Sequence, residues 1–321
     1  MRTDVLSNAM HTDISPDDIR AATNRIARRV RQTPVLALED GAFGSPARLW
    51  LKLELLQHTG SFKPRGAFNR MLSTAVPSSG VIAASGGNHG IAVAYAARQL
   101  GLRAEIFLPS SASPVKVDRL RALGAKVVQV GAEYAEAFAA SEARRNESGA
   151  LSVHAYDQPE TVSGQGTLAL EWEQQTGILD TVLVAVGGGG LIAGMLHWWQ
   201  RRVRVIGVEP ERCATLFKAR AANTPIDIEV GGLAADSLGA RRIGAIAFDA
   251  AQRWIGDMVL VPDEAIAVAQ RTLWNDLRIA AEPGGATALA ALISNAYRPA
   301  ANERVGILVC GGNVDPATLA S

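Results

Sequence analysis

Residues 59–67 contain the side chain with the clearest chemical potential in the chain, the amine of Lys63. This lysine follows an aromatic residue, Phe62, and glycines lie on both sides of it in the sequence. Glycine lets the backbone come close to a planar ligand, and a lysine amine can form a Schiff base with a carbonyl compound. Most lysines are solvated surface charges, so the interpretation of Lys63 as a Schiff-base amine depends on the residues that the fold places near it.

Three glycine-rich clusters each follow an apolar, β-branched run that is typical of a buried strand. They are residues 85–90, 187–190 and 310–313. In open α/β sheets, ligands bind beyond the carboxyl ends of the strands, where the loops gather. We therefore expect the three clusters and Lys63 to converge on one crevice.

The cluster at residues 187–190 consists of four glycines and precedes a predicted helix that begins at Leu191. Consecutive glycines let backbone N–H groups point inward together, and a helix N-terminus adds partial positive charge, so this turn predicts a phosphate site. It lacks the Lys-Ser or Lys-Thr pair of a P-loop and the spaced glycines of a dinucleotide site. A smaller phosphorylated ligand is expected, and a tight packing turn is the alternative.

The other two clusters carry polar side chains that suit a ring and a carboxylate. Asn88 has both a donor and an acceptor, for a phenolic oxygen or a substrate carboxylate, and Ser85 with the N–H groups of its turn suits the same carboxylate. Helix N-capping is the alternative for Asn88 and His89. Cys310 is either a small buried hydrophobe or a weak donor to a pyridine nitrogen, which a thiol cannot keep protonated as an aspartate would.

Short β-branched runs alternate with alanine-rich segments almost throughout the chain, which predicts parallel βαβ units. The predicted strands are residues 48–54, 81–84, 103–108, 126–130, 151–155, 181–186, 203–209, 258–261 and 305–309. The predicted helices are residues 88–100, 114–123, 133–146, 162–175 and 191–200. The fold class expected from this alternation is α/β.

The composition of the chain disfavours several classes of function. The chain has 321 residues, of which 48% are hydrophobic and 20% charged, as in an ordinary globular protein. Its net charge of +1 gives no field that would recruit nucleic acid or an acidic membrane. No apolar run reaches the roughly 18 residues of a membrane span, and the first twelve residues do not resemble a secretion signal. Cys213 and Cys310 form no CxxC pair, which favours a reducing, cytoplasmic compartment.

Taken together, these motifs resemble those of the fold-type II pyridoxal-phosphate (PLP) enzymes, in the branch of the serine/threonine dehydratases and serine racemases. The matching segments occur in the family order and cover nearly the whole chain. They are residues 61–67, 85–89, 163–167, 186–191, 282–286 and 310–313.

The resemblance implies a role for each site residue. Lys63 would carry the cofactor as a Schiff base and act as the base at Cα, with Phe62 against the ring. The phosphate would be held by Gly187, Gly188, Gly189, Gly190 and Leu191. Asn88 would contact the ring hydroxyl, Cys310 the ring nitrogen, and Glu282 would lie near the ring. The substrate carboxylate would be received by Ser85, Gly86, Asn88 and His89.

The implied fold resembles the tryptophan synthase β subunit, with a large, twisted, mostly parallel sheet and a smaller inserted βα domain. We expect residues 10–76 and 153–321 to form the large PLP-binding domain and residues 77–152 the small one. The family also implies a homodimer. Because the chain ends soon after residue 313, we expect no C-terminal regulatory domain and no feedback by isoleucine through one.

The reaction implied is α,β-elimination from L-threonine or L-serine, which gives 2-oxobutanoate or pyruvate and ammonia. Racemases of this branch carry a second hydroxyl where this chain has Gly86, so a one-base site that eliminates is favoured. Cation-activated relatives have a second acid where this chain has Thr215, so no metal is expected, with Glu209 as the one candidate ligand.

Several alternatives stay open at this point. The substrate could be another 3-hydroxy amino acid, such as 3-hydroxyaspartate or phenylserine, or the enzyme could racemise serine. Cysteine-synthase-type β-replacement is less favoured. A non-catalytic binding protein is disfavoured because Lys63, Asn88 and the glycine turn are all intact. Candidate pocket-lining residues are Tyr156, Asp157, Asp236 and Ser237, although turn and cap roles explain them equally well.

Overall fold

A computed structural model describes residues 13–319 of the chain. The segment considered as a secretion signal, and residues 10–12 and 320–321 of the predicted large domain, therefore lie outside the described residues. The helices are α1 (Pro16–Ile26), α2 (Lys63–Leu72), α3 (Asn88–Gln99), α4 (Pro114–Ala122), α5 (Tyr134–Ser148), α6 (Pro159–Thr176), α7 (Gly190–Trp199), α8 (Thr215–Ala221), α9 (Ala235–Leu238), α10 (Ala245–Trp254), α11 (Asp263–Leu277) and α12 (Pro283–Ile293).

Two β-sheets are formed by strands from different parts of the chain. The strands are β1 (Val35–Ala37), β2 (Arg48–Lys52), β3 (Val81–Ala84), β4 (Ala104–Leu108), β5 (Lys126–Gln129), β6 (Leu151–Ser152), β7 (Thr181–Ala185), β8 (Arg204–Pro210), β9 (Asp257–Val261) and β10 (Arg304–Leu308). The first sheet has the order β1-β2-β10-β7-β8-β9 and the second the order β5-β4-β3-β6. Apart from the antiparallel pair β1–β2, neighbouring strands are parallel.

This arrangement confirms the α/β fold class with a mostly parallel sheet. All four strands of the second sheet lie between residues 81 and 152. The domain limits, residues 10–76 with 153–321 and residues 77–152, stay a prediction. Among the helices between residues 13 and 319, none combines the length and hydropathy that a membrane crossing requires.

Most of the predicted elements are present, with small differences at their ends. The strand predicted at residues 151–155 has only two residues, Leu151–Ser152, and α7 begins at Gly190 rather than Leu191. The sequence pattern missed α1, β1, α2 and α8 to α12. The helix α2 begins at Lys63 with Pro64 in its first turn, where proline fixes a helical φ and loses no hydrogen bond.

A buried ion network holds α2 in place two residues beyond Lys63. Arg65 donates from Nε to Oε1 of Glu54 at 2.6 Å and from Nη2 to Oε2 of the same carboxylate at 3.0 Å. Its Nη2 also donates to Glu171 on α6 at 2.8 Å, and Glu171 accepts from Nζ of Lys52. Burial alone would lower the pKa of Arg65, but Glu54 and Glu171 more than offset it, so the guanidinium stays charged.

The network connects three elements that meet behind the start of α2. Lys52 ends β2, Glu171 lies in the middle of α6, and the side chains of Arg65, Glu54 and Lys52 are at most 1% exposed. Thr33 donates from Oγ1 to Glu54 at 2.7 Å, which satisfies a further acceptor position of this carboxylate. The first turn of α2, and with it Lys63, is therefore fixed relative to β2 and α6.

Replacing Arg65 by methionine should destabilise the protein by about 3–5 kcal/mol, because the carboxylate of Glu54 would stay buried without its partner. Urea unfolding followed by circular dichroism measures this change. The double variant Arg65→Met/Glu54→Leu should recover much of the loss, and Arg145→Met, at an exposed ion pair on α5, should cost less than about 1 kcal/mol. Equal stabilities of Arg65→Met and Arg145→Met would contradict this account.

Candidate active site

The residues predicted from three separate segments line one cavity in the structure. Lys63 with Phe62, the glycine turn after β7 and Cys310 after β10 all contribute to its lining, whereas residues 85–90, which were expected to converge there too, do not. The lining residues are Phe62, Lys63, Tyr156, Ala185, Gly187, Gly188, Gly189, Gly190, Leu191, Ile192, Ser237, Leu238 and Cys310. The convergence of Lys63, the glycine turn and Cys310 therefore follows from the arrangement of β7, β10 and α2.

Lys63 is half-buried, and its amine loses its proton more readily than that of an exposed lysine. Its Nζ donates a hydrogen bond to the carbonyl of Ala155 at 2.9 Å and lies 5.0 Å from the ring centroid of Phe62. Burial lowers the pKa of Lys63 to about 8, although the nearby Cys310 and Glu282 oppose the change. The uncharged amine, which is the form that attacks a carbonyl carbon, is therefore more populated near neutral pH than in an exposed lysine.

The glycine turn combines a left-handed residue with a close approach to Tyr156. Gly189 has φ +90° and precedes the first residue of α7. A Cβ on Gly188 would overlap the ring of Tyr156. The first N–H groups of α7 have no acceptor within the helix, and Ala193 is the first to bond backward, to the carbonyl of Gly189 at 2.9 Å. The turn therefore presents free N–H donors at a helix N-terminus, which suits an anion.

Asn88 is the first residue of α3 and does not cap it. The N-cap is Gly87, with no side-chain capping bond, so the capping alternative for Asn88 is wrong. Instead, Nδ2 of Asn88 donates to Oε1 of Glu282 at 2.6 Å, and its Oδ1 accepts from Asn313 at 2.6 Å. The amide of Asn88 is thus held between the beginning of α12 and the loop after β10.

The remaining residues of this cluster divide between the turn and the core. The hydroxyl of Ser85 accepts from the N–H of Gly87 at 3.3 Å, at the turn that precedes α3. The imidazole of His89 is buried, with Nε2 2.8 Å from the carbonyl oxygen of Val153. Burial and the charge of Lys63 lower the pKa of His89 to about 3, so the ring is neutral. Because the imidazole of His89 contacts the carbonyl of Val153, the main-chain N–H of His89 is the group available to bind a substrate carboxylate.

Glu282 and Cys310 are both buried acids whose neutral forms are favoured. Burial raises the pKa of Glu282 to about 7, although the hydrogen bond from Asn88 opposes the change. Burial and then the nearby Glu282 raise the pKa of Cys310, and its Sγ lies 3.4 Å from the carbonyl oxygen of Gly284. Cys310 therefore stays a thiol, which can donate weakly to a ring nitrogen but cannot protonate it.

Glu209, the candidate metal ligand, ends a buried strand and accepts hydrogen bonds from the N–H groups of Leu216 and Phe217 at 2.7 and 2.8 Å. Burial raises the pKa of Glu209 to about 8. Residues 13–319 contain no group of three or more histidine, cysteine, aspartate or glutamate side chains that could hold a metal ion. In this structure Glu209 satisfies the first turn of α8, where Thr215 is the first residue.

Of the four candidate lining residues, two lie at the cavity and two have other roles. Tyr156 and Ser237 line the cavity, whereas Asp157 caps α10 by accepting from the N–H groups at its start. Asp236 forms an ion pair with Lys116 of α4 at 2.5 Å. Sequence reasoning gave no role to the side chain of Asn313, although it contacts Asn88; the position lies in a recognised cluster, but its partners are distant in sequence.

Comparison with known proteins assigns the class. Residues 26–311 match the family described as pyridoxal-phosphate dependent enzyme, and the chain belongs to this family. The chain is 37% identical to the phenylserine dehydratase of Ralstonia pickettii, with 92% of each chain covered. It is 41% identical to the biosynthetic L-threonine dehydratase IlvA of Haemophilus influenzae over 84% of this chain, which spans 53% of that relative.

Solved structures give the same fold and the same range of activities. The structure of maize serine racemase superposes with a TM-score of 0.90 at 32% identity and covers 96% of each chain. A threonine deaminase from T.th. gives a TM-score of 0.87 at 35% identity, over 94% of this chain and 99% of that one. The chain is thus a PLP-dependent enzyme of the lyase type, and the fold-type II assignment is confirmed.

The residues present fit PLP. The N–H groups at the start of α7 suit its phosphate, since nothing larger than hydrogen fits at Gly188, and the amine of Lys63, whose pKa is lowered, suits its aldehyde. The thiol of Cys310 lies on the same cavity and suits a ring nitrogen that carries no proton. These are properties of the folded chain and agree with the family assignment.

The variant Gly188→Ala should weaken PLP binding by about tenfold or more, because its Cβ would push Tyr156 and the turn apart. Fluorescence titration of the apoenzyme with PLP measures the dissociation constant. In the control Gly231→Ala, the added Cβ meets only the end of the flexible Arg212 side chain, at 3.1 Å, and binding should not change. Wild-type affinity in Gly188→Ala would show that the turn does not hold the phosphate.

The rate at which PLP attaches covalently to the apoenzyme should rise with pH and level off above the pKa of Lys63. With this pKa at about 8, the neutral fraction grows from about 10% at pH 7 to about 90% at pH 9. Stopped-flow absorbance measures the rate. A rate that still rises about sevenfold between pH 9 and 10, as for an exposed lysine of pKa about 10.4, would contradict the lowered pKa of this amine.

Proposed function

We propose that this enzyme is an L-threonine/L-serine ammonia-lyase that converts threonine to 2-oxobutanoate, and serine to pyruvate, with release of ammonia. One observation carries the proposal: among the described residues that line the cavity, Lys63 is the one side chain able to accept a proton near neutral pH. The pKa of Tyr156 is raised to about 12 by burial, and that of Cys310 is also raised.

The roles of the chain's residues follow from this placement. We assign Lys63 to removal of the Cα proton, Phe62 to one face of the ring, Asn88 to the ring hydroxyl and the glycine turn to the phosphate. The N–H groups at the start of α3 and the hydroxyl of Ser85 receive the substrate carboxylate. When bound, PLP supplies the electron sink for the electrons left at Cα.

A single base favours elimination over racemisation. Racemisation needs a second group that returns a proton to the opposite face of Cα, and Gly86 offers no side chain there. A Cβ on Gly86 would lie 3.3 Å from Cδ2 of Leu108 and 3.8 Å from Cδ of Lys116, so its nearest neighbours are all aliphatic carbons. Elimination of the β-hydroxyl, in contrast, needs only the one base that removes the Cα proton.

Phenylserine is the second candidate substrate, and two observations favour it. A relative named as a phenylserine dehydratase covers this chain almost end to end. A series of aromatic contacts also leads away from the cavity: Tyr156 meets His154 with ring centroids 4.7 Å apart, and His154 meets Phe138 at 6.3 Å. Such a surface suits an aromatic β-substituent.

A substrate panel tests the proposal. The holoenzyme is supplied with threonine, serine, phenylserine and 3-hydroxyaspartate, 2-oxo acid release is measured, and the remaining serine is analysed for its D-isomer. Threonine or serine should give the highest kcat/KM. A clear preference for phenylserine would replace our first assignment by the second, and rapid formation of D-serine would overturn the one-base argument.

Lys63→Ala should lower the elimination rate by about 10³-fold or more, since it removes both the attachment and the base. Borohydride reduction followed by peptide mapping should place the cofactor on Lys63 in the wild type and on no lysine in Lys63→Ala. The control Lys218→Ala, at an exposed position, should keep its activity. Unchanged turnover in Lys63→Ala would refute the assignment.

A homodimer and a cytoplasmic location stay proposals, the latter supported by two free cysteines.

A further inference from the structure

The side-chain amide of Asn313, in the loop after β10, makes three hydrogen bonds. Its Oδ1 accepts from Nη2 of Arg119 at 2.9 Å. Its Nδ2 donates to the carbonyl of Thr59 at 2.9 Å and to Oδ1 of Asn88 at 2.6 Å. Asn88 then donates from Nδ2 to Glu282 at 2.6 Å. These bonds form a relay from Arg119 on α4 to Glu282 at the start of α12.

Arg119 and the carbonyl of Thr59 both favour the same orientation of the Asn313 amide. The two ends of an asparagine amide have nearly the same shape, so its orientation follows from its hydrogen-bond partners. A guanidinium only donates, so it must face Oδ1 of Asn313. The Nδ2 of Asn313 is then the group that meets Asn88, which must in turn present its Oδ1 to Asn313 and its Nδ2 to Glu282.

We propose that Arg119 and Asn313 are positioning residues for the cofactor site: they fix which end of the Asn88 amide faces Glu282 and which groups remain for the ring. The inference rests on the part of the proposed function that places Asn88 and Glu282 beside the cofactor, and is independent of the substrate. Arg119 lies on a helix that packs against the second sheet, whereas Asn313 follows a strand of the first. The relay thus connects the two sides of the crevice.

The same two residues also hold the segment that leads to Lys63. Thr59 has φ +65°, which a β-branched residue rarely adopts, and such a conformation persists only where its surroundings enforce it. Its carbonyl accepts from Asn313, as above, and from Nη2 of Arg119 at 3.4 Å. Since Thr59 precedes Lys63 by only four residues, Arg119 and Asn313 act on both the amide and the amine of the site.

The charges around Glu282 give the relay a pH signature. Burial and Asp236 raise the pKa of Glu282, whereas the amide of Asn88, the N–H of Asn313 and the charge of Arg119 lower it. Lys63 and Cys310 also face this carboxyl group. Removing Arg119 should therefore move the pKa of Glu282 above about 7, so that the carboxyl group is more often protonated at neutral pH.

The test compares three substitutions of Arg119 by titrating each apoenzyme with PLP. Arg119→Lys keeps a donor-only group and should bind PLP within about twofold of the wild type. Arg119→Met removes the donor and should bind about fivefold more weakly. Arg119→Glu places an acceptor beside Oδ1 of Asn313 while the carbonyl of Thr59 still requires Nδ2, so neither orientation of the amide is satisfied, and this variant should bind about 20-fold or more weakly. In the Met and Glu variants, the pH transition of PLP binding, measured by repeating the titration across pH, should move to higher pH, because the loss of Arg119 raises the pKa of Glu282.

Two further variants separate the relay from general effects of charge. Arg121→Glu changes the charge on the same helix at a residue that pairs with Asp118 and is 61% exposed, and its dissociation constant for PLP should equal that of the wild type. Asn313→Asp keeps the shape but removes the donor, and should match Arg119→Glu. Wild-type binding and pH transition in both Arg119→Met and Arg119→Glu would overturn the inference, as would an equal loss in Arg121→Glu. An absence of 2-oxo acid from every substrate would instead overturn the proposed function and leave these binding results unchanged.

Discussion

The position of the reactive amine depends on the ion pair between Arg65 and Glu54. Lys63 and Arg65 belong to the same first turn of α2, so the guanidinium that reaches backward to Glu54 and Glu171 determines where the amine can lie. Because these charges are shielded from water, their mutual orientation is tightly defined. The result is an amine held at the carbonyl of Ala155, inside the cavity and partly uncharged.

Different forces hold the different parts of the cofactor site. Main-chain N–H groups at the start of α7 would serve the phosphate, and their placement needs only the path of the backbone. The side-chain amides of Asn88 and Asn313 are bonded to each other and would serve the edge of the ring, and burial shifts the pKa values of Lys63, Glu282 and Cys310. If Cys310 faces the ring nitrogen as proposed, its neutral thiol would leave that nitrogen unprotonated, which agrees with a reaction that expels a leaving group.

Residue types and spacing predicted the fold class and the convergence of Lys63, the glycine turn and Cys310, because glycine clusters at strand ends have few other uses. They did not predict the network of Lys52, Glu54, Arg65 and Glu171, since isolated charges in a sequence resemble solvated surface residues. The helix α12 was missed because it begins with Pro283 and two glycines, which suggest a turn. The roles of Asn313 and of the His89 ring depend on distant partners, which one-dimensional patterns do not contain.

The four-charge network also constrains how this sequence can drift over evolutionary time. Replacing any one of Lys52, Glu54, Arg65 and Glu171 by a neutral residue upsets the balance of two positive and two negative charges that are largely shielded from water. Single substitutions in this network should therefore destabilise the protein, and the four residues should be conserved together. In homologous sequences we expect residues at the rim of the crevice to vary, and the four charged residues of this network to be conserved.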